Sequence, residues 1–114
     1  MDKQNKKELA AAYKERKVVG GIYAIVNSGN GKMLLLSTCD MQGSRNRFEF
    51  SKKTGSCINL KLREDWQKYG NMAFDFTVLA ELMKKESQTD QEFAEDIATL
   101  QELWAEKLLG KNLY

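Results

Sequence analysis

The sequence predicts an α+β domain, a three-stranded antiparallel sheet packed by helices with an extra helix at the N-terminus. Three observations carry that reading. Two apolar segments flank Ser28-Gly29-Asn30-Gly31, a strong tight-turn signal, which is the pattern of a β-hairpin. A third alternating segment, Ala73 to Leu79, follows two stretches whose apolar residues recur at helical spacing. The resulting order is helix, hairpin, two helices, strand, helix, which is not the βαβ alternation of a parallel sheet.

Residues 3–17 read as a helix with Leu9, Ala10, Ala12 and Tyr13 as a modest apolar stripe, stopped by Gly20-Gly21. In the strand Gly21 to Val26, Ile22, Ala24 and Val26 share one face, and Tyr23 and Ile25 the other. The returning strand, Met33 to Leu36, is apolar throughout, so both its faces are expected to be covered. A helix over 41–52 places Met41, Arg45 and Phe48 on one side. A second, over 59–69, follows Ile58, sets Leu62, Trp66 and Tyr69 on its inner stripe and closes at Gly70-Asn71. The strand Ala73 to Leu79 should bury Phe74, Phe76 and Val78. Thr89-Asp90-Gln91-Glu92 resembles a capping box opening a last helix to about Leu109, with Phe93, Ile97, Leu100, Trp104 and Leu108 inward.

At 114 residues the chain suits one domain, 1–114, with residues 1–20 as a helical extension. No apolar run approaches a bilayer span, and the polar N-terminus lacks a signal peptide's apolar stretch, so a cytoplasmic protein away from membranes is expected. Cys39 and Cys57 have no zinc-ligand spacing and read as free thiols. The chain has no histidine, which removes Ser-His-Asp and Cys-His catalysis and His-bound metals. Chemistry must come from Tyr, Lys, Arg, Asp or Glu. Residues 1–85 carry 16 Lys and Arg against 9 Asp and Glu, whereas residues 86–114 carry 2 against 7. A basic body with an acidic last helix suits a polyanion on one side only, although solvated faces produce the same composition.

Gly21-Ile22-Tyr23, Ile25, Asn27 and then Asn30-Gly31-Lys32, followed by an arginine-bearing helix, resemble the start of the GIY-YIG endonuclease family. Trp66-Gln67-Lys68-Tyr69-Gly70-Asn71, the Phe74-Asp75-Phe76 strand and Trp104-Ala105-Glu106-Lys107-Leu108 continue the likeness to the C-terminus. The resemblance implies hydrolysis of a phosphodiester with one divalent metal, Mg²⁺ or Mn²⁺. In that family a tyrosine acts on the attacking water, an arginine neutralises the phosphate and a glutamate holds the ion. A fixed guanidinium and a cation would stabilise the charge that builds on the phosphoryl oxygens.

Carried onto this chain, the first tyrosine is Tyr23 and the arginine is Arg45, with Arg47 next. The second triplet departs, because its register from Asn30-Gly31-Lys32 falls on Leu34-Leu35-Leu36. Leu34 replaces the second tyrosine, and Leu36 replaces a glycine whose missing side chain leaves space over the strand. Aligned on Trp104, the glutamate's place is taken by Gln101. At about 100° per residue from Phe93, Gln101 lies roughly 80° round, at the rim of the inward stripe. Glu102, the alternative ligand, lies at roughly 180° and faces solvent. A neutral amide is a poor substitute for a carboxylate on Mg²⁺.

The expected function is a nuclease-like domain that binds nucleic-acid phosphates with weakened or lost hydrolysis. Its binding residues would be Lys32, Arg45, Arg47, Lys52, Lys53, Lys61 and Arg63, its polymer DNA, and its state monomeric. An active metal-dependent endonuclease is the alternative, and a protein-interaction module on the same scaffold is a further one.

Overall fold

The computed structural model describes residues 18–57 and 59–114. The expected helix 3–17 and Ile58 lie outside the described residues. The central strand is β1 (Val19–Asn27), whose residues are almost all buried. It pairs antiparallel with β2 (Met33–Thr38) on one side and with β3 (Phe74–Met83) on the other, giving the order β2-β1-β3. Because side chains alternate along a strand, each face of the sheet carries its own core. On one face Tyr23, Ile25, Leu34 and Phe74 meet Met41 and Phe48 of α1 (Met41–Thr54) and Trp66 of α2 (Arg63–Tyr69). On the other, Ile22 meets Phe93 and Ile97 of α3 (Asp90–Lys107), with Leu35, Leu100 and Trp104 alongside. The expected covering of β2 on both faces is therefore met by helices on opposite sides.

Just after Gly21, between Ile22 and Tyr23, the register of β1 against β3 shifts. Ile22 pairs with Ala80 but Tyr23 pairs with Val78, leaving Leu79 as the extra residue of a β-bulge. The bulge lets Phe74, Phe76 and Val78 pack on one face while Ala80 and Leu82 pack on the other. Gly21 has φ 145°, and a Cβ there would overlap the Ala80 carbonyl. Only glycine meets both conditions.

The helix ends follow from their caps. Asp40 Oδ1 accepts from the Gly43 N–H (3.0 Å) and starts α1, and Gly55 ends it at φ 78°. Thr89 and Glu92 form the expected capping box of α3. The helix expected from residue 59 is shorter: Leu60–Leu62 is a 3-10 turn capped by the Asn59 side chain, and the α-helix begins at Arg63. Tyr69, expected inward, is 36% exposed, because the short helix turns only Trp66 fully into the core. Phe76 and Val78 are half-buried rather than buried, α1 runs two residues further than expected, and β3 extends to Met83. At the hairpin the positive φ belongs to Gly31 alone (77°), while the Asn30 side chain accepts from Lys32 N–H.

Candidate functional site

Tyr23 is 9% exposed and stacks on Phe76 across the sheet, with ring centroids 4.4 Å apart and planes at 17°. Its strand neighbours are Leu36 on β2 and Val78 on β3. The Arg45 guanidinium lies 5.3 Å from the Phe76 ring centroid, so it covers the pair from outside while remaining exposed. The phenol has closer company in Ser44 and Arg47. Burial pushes the Tyr23 hydroxyl above its ordinary value, and a hydrogen bond with Ser44 and the charge of Arg47 pull against it without winning. Burial thus favours the neutral, hydrogen-bonding form of the Tyr23 phenol.

Ser44 is 5% exposed and fixes this corner. Arg47 Nη2 donates to Ser44 Oγ (3.1 Å), which donates to Thr38 Oγ1 (2.8 Å), which donates to the Asp40 carbonyl (3.0 Å). The buried stripe of α1 is Met41, Ser44, Phe48 and Ser51, not Met41, Arg45 and Phe48. Arg45 and Arg47 thus flank that stripe on either side, and neither is inside it. The sequence reading ranked Arg45 above Arg47 as the inward arginine. Arg47 instead bonds to Ser44, the buried residue beside the phenol, and the i, i+4, i+7 spacing passed over that serine.

Leu34 is 4% exposed and belongs to the core, opposite Ile25 on β1. Leu36 packs on the same cluster beside Tyr23. Aliphatic carbon therefore fills the strand where the second tyrosine and the glycine were looked for. Gln101 accepts a hydrogen bond from Ser37 Oγ (2.9 Å). Ser37 pairs with Ile22, so this amide sits with the α3 side of the sheet, on the face away from Tyr23. Glu102 is exposed. Among the described residues no three Asp, Glu or Cys side chains are grouped to hold a metal ion. The residues at these positions do not fit the divalent ion the family implies, since an amide already bonded to a hydroxyl replaces the carboxylate.

The remaining basic residues divide into two groups. Lys53 at the end of α1, Lys61 in the 3-10 turn and Arg63 at the start of α2 are exposed. Lys52 is half-buried, over the Phe48 ring (5.5 Å) and 3.9 Å from Asp75. Lys32 lies over the Tyr114 ring (5.6 Å). The sequence reading missed the network that holds Tyr114. Its hydroxyl donates to Asp65 Oδ2 (2.6 Å) and accepts from Asn27 Nδ2 (3.0 Å), while Asn30 Nδ2 also donates to Asp65 (3.0 Å). The Tyr114 hydroxyl keeps Asp65 below its ordinary value, and burial with the neighbouring carboxylate raises Tyr114. No sequence pattern announces such a long-range set.

A sheet ordered β2-β1-β3 with helices on both faces, its first-strand tyrosine on the side of the arginine-bearing next helix, makes an α+β domain. No protein-family model and no curated protein matches the chain. Among solved structures it is similar to a glutamate-to-alanine variant of the catalytic domain of the intron endonuclease I-TevI. The two are 26% identical with a TM-score of 0.60, over 84% of this chain and 91% of that one. A second structure, the catalytic domain of the homing endonuclease I-TevI, is also 26% identical, with a TM-score of 0.55 over 83% and 95%. These likenesses support the GIY-YIG family, and the chain has the α+β fold of these catalytic domains. Among the described residues no helix is long and apolar enough to cross a membrane.

Proposed function

We propose that this domain grips nucleic-acid phosphates, those of DNA first, and hydrolyses them weakly or not at all. Arg47 and Arg45 at the Tyr23 corner would bind one phosphate, and Lys53, Lys61 and Arg63 would follow the backbone away from it. Lys32 and Lys52 would contribute less, because aromatic rings and Asp75 already engage them. The single observation that carries the reading is the asymmetry at the site. The tyrosine and its arginine partner are together, while Leu34, Leu36 and Gln101 occupy the places of a phenol, an open strand and a metal ligand. Such contacts position a backbone and read no base edges.

One phosphate at the corner and three beyond it would give a log-log slope of affinity against salt of about −3.6. The test is fluorescence anisotropy with a labelled DNA duplex over about 50 to 200 mM salt. Binding that weakens steeply, with a slope shallower by about 1 in Arg47→Ala, is the expected result. Absent binding, or binding indifferent to salt, overturns the reading and moves weight to a protein-interaction module.

A further inference from the structure

Arg47 faces two places at once. On its inner side it meets Ser44 at the Tyr23 corner. On its outer side it borders a cavity of about 430 Å³ between α1 and the loop that follows it, together with Asn46, Phe50, Thr54 and Cys57. The walls of this cavity are mostly carbon and sulfur, and three of its polar side chains are turned to the backbone. Ser51 Oγ donates to the Phe48 carbonyl (2.6 Å), Thr54 Oγ1 to the Phe50 carbonyl (3.1 Å) and Cys57 Sγ to the Asn59 carbonyl (3.0 Å). Phe50 is 68% exposed, a large ring on the outer side of a helix whose core contacts are made by Met41 and Phe48. None of the lining residues is acidic. Past Cys57 the groove runs into a second hollow of about 400 Å³ bordered by Leu60, Arg63 and Trp66.

An isolated exposed phenylalanine means little. An exposed ring over an apolar groove bordered by one guanidinium, with a second bordering the adjoining hollow, is more specific. Its complement is a flat aromatic ring flanked by negative charge, which is the description of a nucleotide. A base inside a duplex is stacked on its neighbours and offers no free ring face to Phe50, so the base must be unpaired and unstacked.

We propose that this groove receives an unpaired nucleobase stacked on Phe50, with Arg47 holding the adjoining phosphate and Arg63 the next. The substrate class is then single-stranded, flapped or branched nucleic acid rather than continuous duplex. Stacking tolerates any base, which agrees with binding that reads no base edges. The proposal rests on the phosphate-binding reading above, and its test separates the two. Affinity is measured for a labelled single strand and for a strand of equal length whose bases are removed around its centre, so that phosphate charge is matched. Wild type should prefer the base-bearing strand. Phe50→Ala should weaken that strand roughly tenfold, leave the abasic strand unchanged and keep the salt slope, while Phe50→Trp should restore affinity. Because the ring is exposed, neither variant removes core packing. Equal affinity for both strands in wild type, untouched by Phe50→Ala, overturns the base groove while phosphate binding stands. No binding to either strand overturns both. Self-association that Phe50→Ala abolishes, with strand affinities unchanged, gives the groove to a second copy of the chain and also overturns the proposal.

Discussion

The two faces of the sheet invite comparison, since each is closed by helices around a small buried core. On the α1 and α2 face, aromatic rings predominate, and Tyr23, Ser44 and Arg47 form a polar corner at its edge. On the α3 face, Ile22, Phe93 and Ile97 make an apolar core, and Gln101 meets Ser37 at its rim. Outside, α1 shows Arg45, Arg47 and Lys53 to solvent, whereas α3 shows Glu95, Asp96, Glu102 and Glu106. Both faces hold the sheet together, but the first carries most of the exposed arginine and the second most of the exposed carboxylate. In the family's chemistry the α3 helix would supply the metal ligand, and here it supplies an amide instead. The Tyr23 corner and the Gln101 amide thus stand on opposite faces of one sheet.

The largest expected effects strike both faces. Gly21→Ala forces a side chain into the Ala80 carbonyl at φ 145°, and should cost more than about 3 kcal/mol or prevent folding. Phe48→Ala should cost about 3–5 kcal/mol and Ile97→Ala about 2–5 kcal/mol in denaturant unfolding. A negligible cost for Ile97→Ala would show that the α3 face does not share in holding the sheet. Next in size, Thr89→Ala should destabilise by about 1 kcal/mol through loss of the α3 cap, with no change in nucleic-acid affinity.

A sharper comparison sets Arg47→Ala against Lys107→Ala, which remove one cation from each side. The first should make the salt slope shallower by about 1, and the second should leave it unchanged. Equal effects would mean that affinity follows net charge and not the Tyr23 corner.

The smallest effect concerns pH. Asp65 lies below its ordinary value because Tyr114 donates to it, so its contribution is present above 3.8 and disappears as pH falls through the lowered value. Tyr114 is raised, so its contribution is present below 10.0 and is lost as pH rises through the raised value. Tyr114→Phe should therefore lower the melting temperature at neutral pH, and the gap from wild type should close toward both extremes. A gap that does not vary with pH would remove the hydrogen-bonded pair as its cause.

Much of this was legible in the residues. Strand alternation placed Tyr23 and Ile22 on opposite faces, the Asn-Gly turn fixed the hairpin, and Thr89 with Glu92 marked the start of α3. The angle of Gln101 at the rim of that helix also agrees with its contact to Ser37. What escaped was set by tertiary contacts. Helical spacing grouped Arg45 with Met41 and Phe48, but the inward position belongs to Ser44, a serine that is satisfied when buried because it bonds to Thr38 and Arg47. The bulge at Leu79 depends on how β3 meets Gly21, and the Tyr114 network joins residues far apart in the chain. Hydrogen bonds between distant elements leave no periodic trace.

The central claim is that the phosphate grip is kept and the hydrolysis is not. Its most direct test is a cleavage assay on linear, nicked and branched DNA with Mg²⁺ and with Mn²⁺, at protein concentrations where binding is saturated, beside Tyr23→Phe and Arg47→Ala. The account predicts bound DNA that stays intact, or cleavage at a trace level that neither substitution changes. Robust metal-dependent cleavage abolished by both substitutions would contradict it.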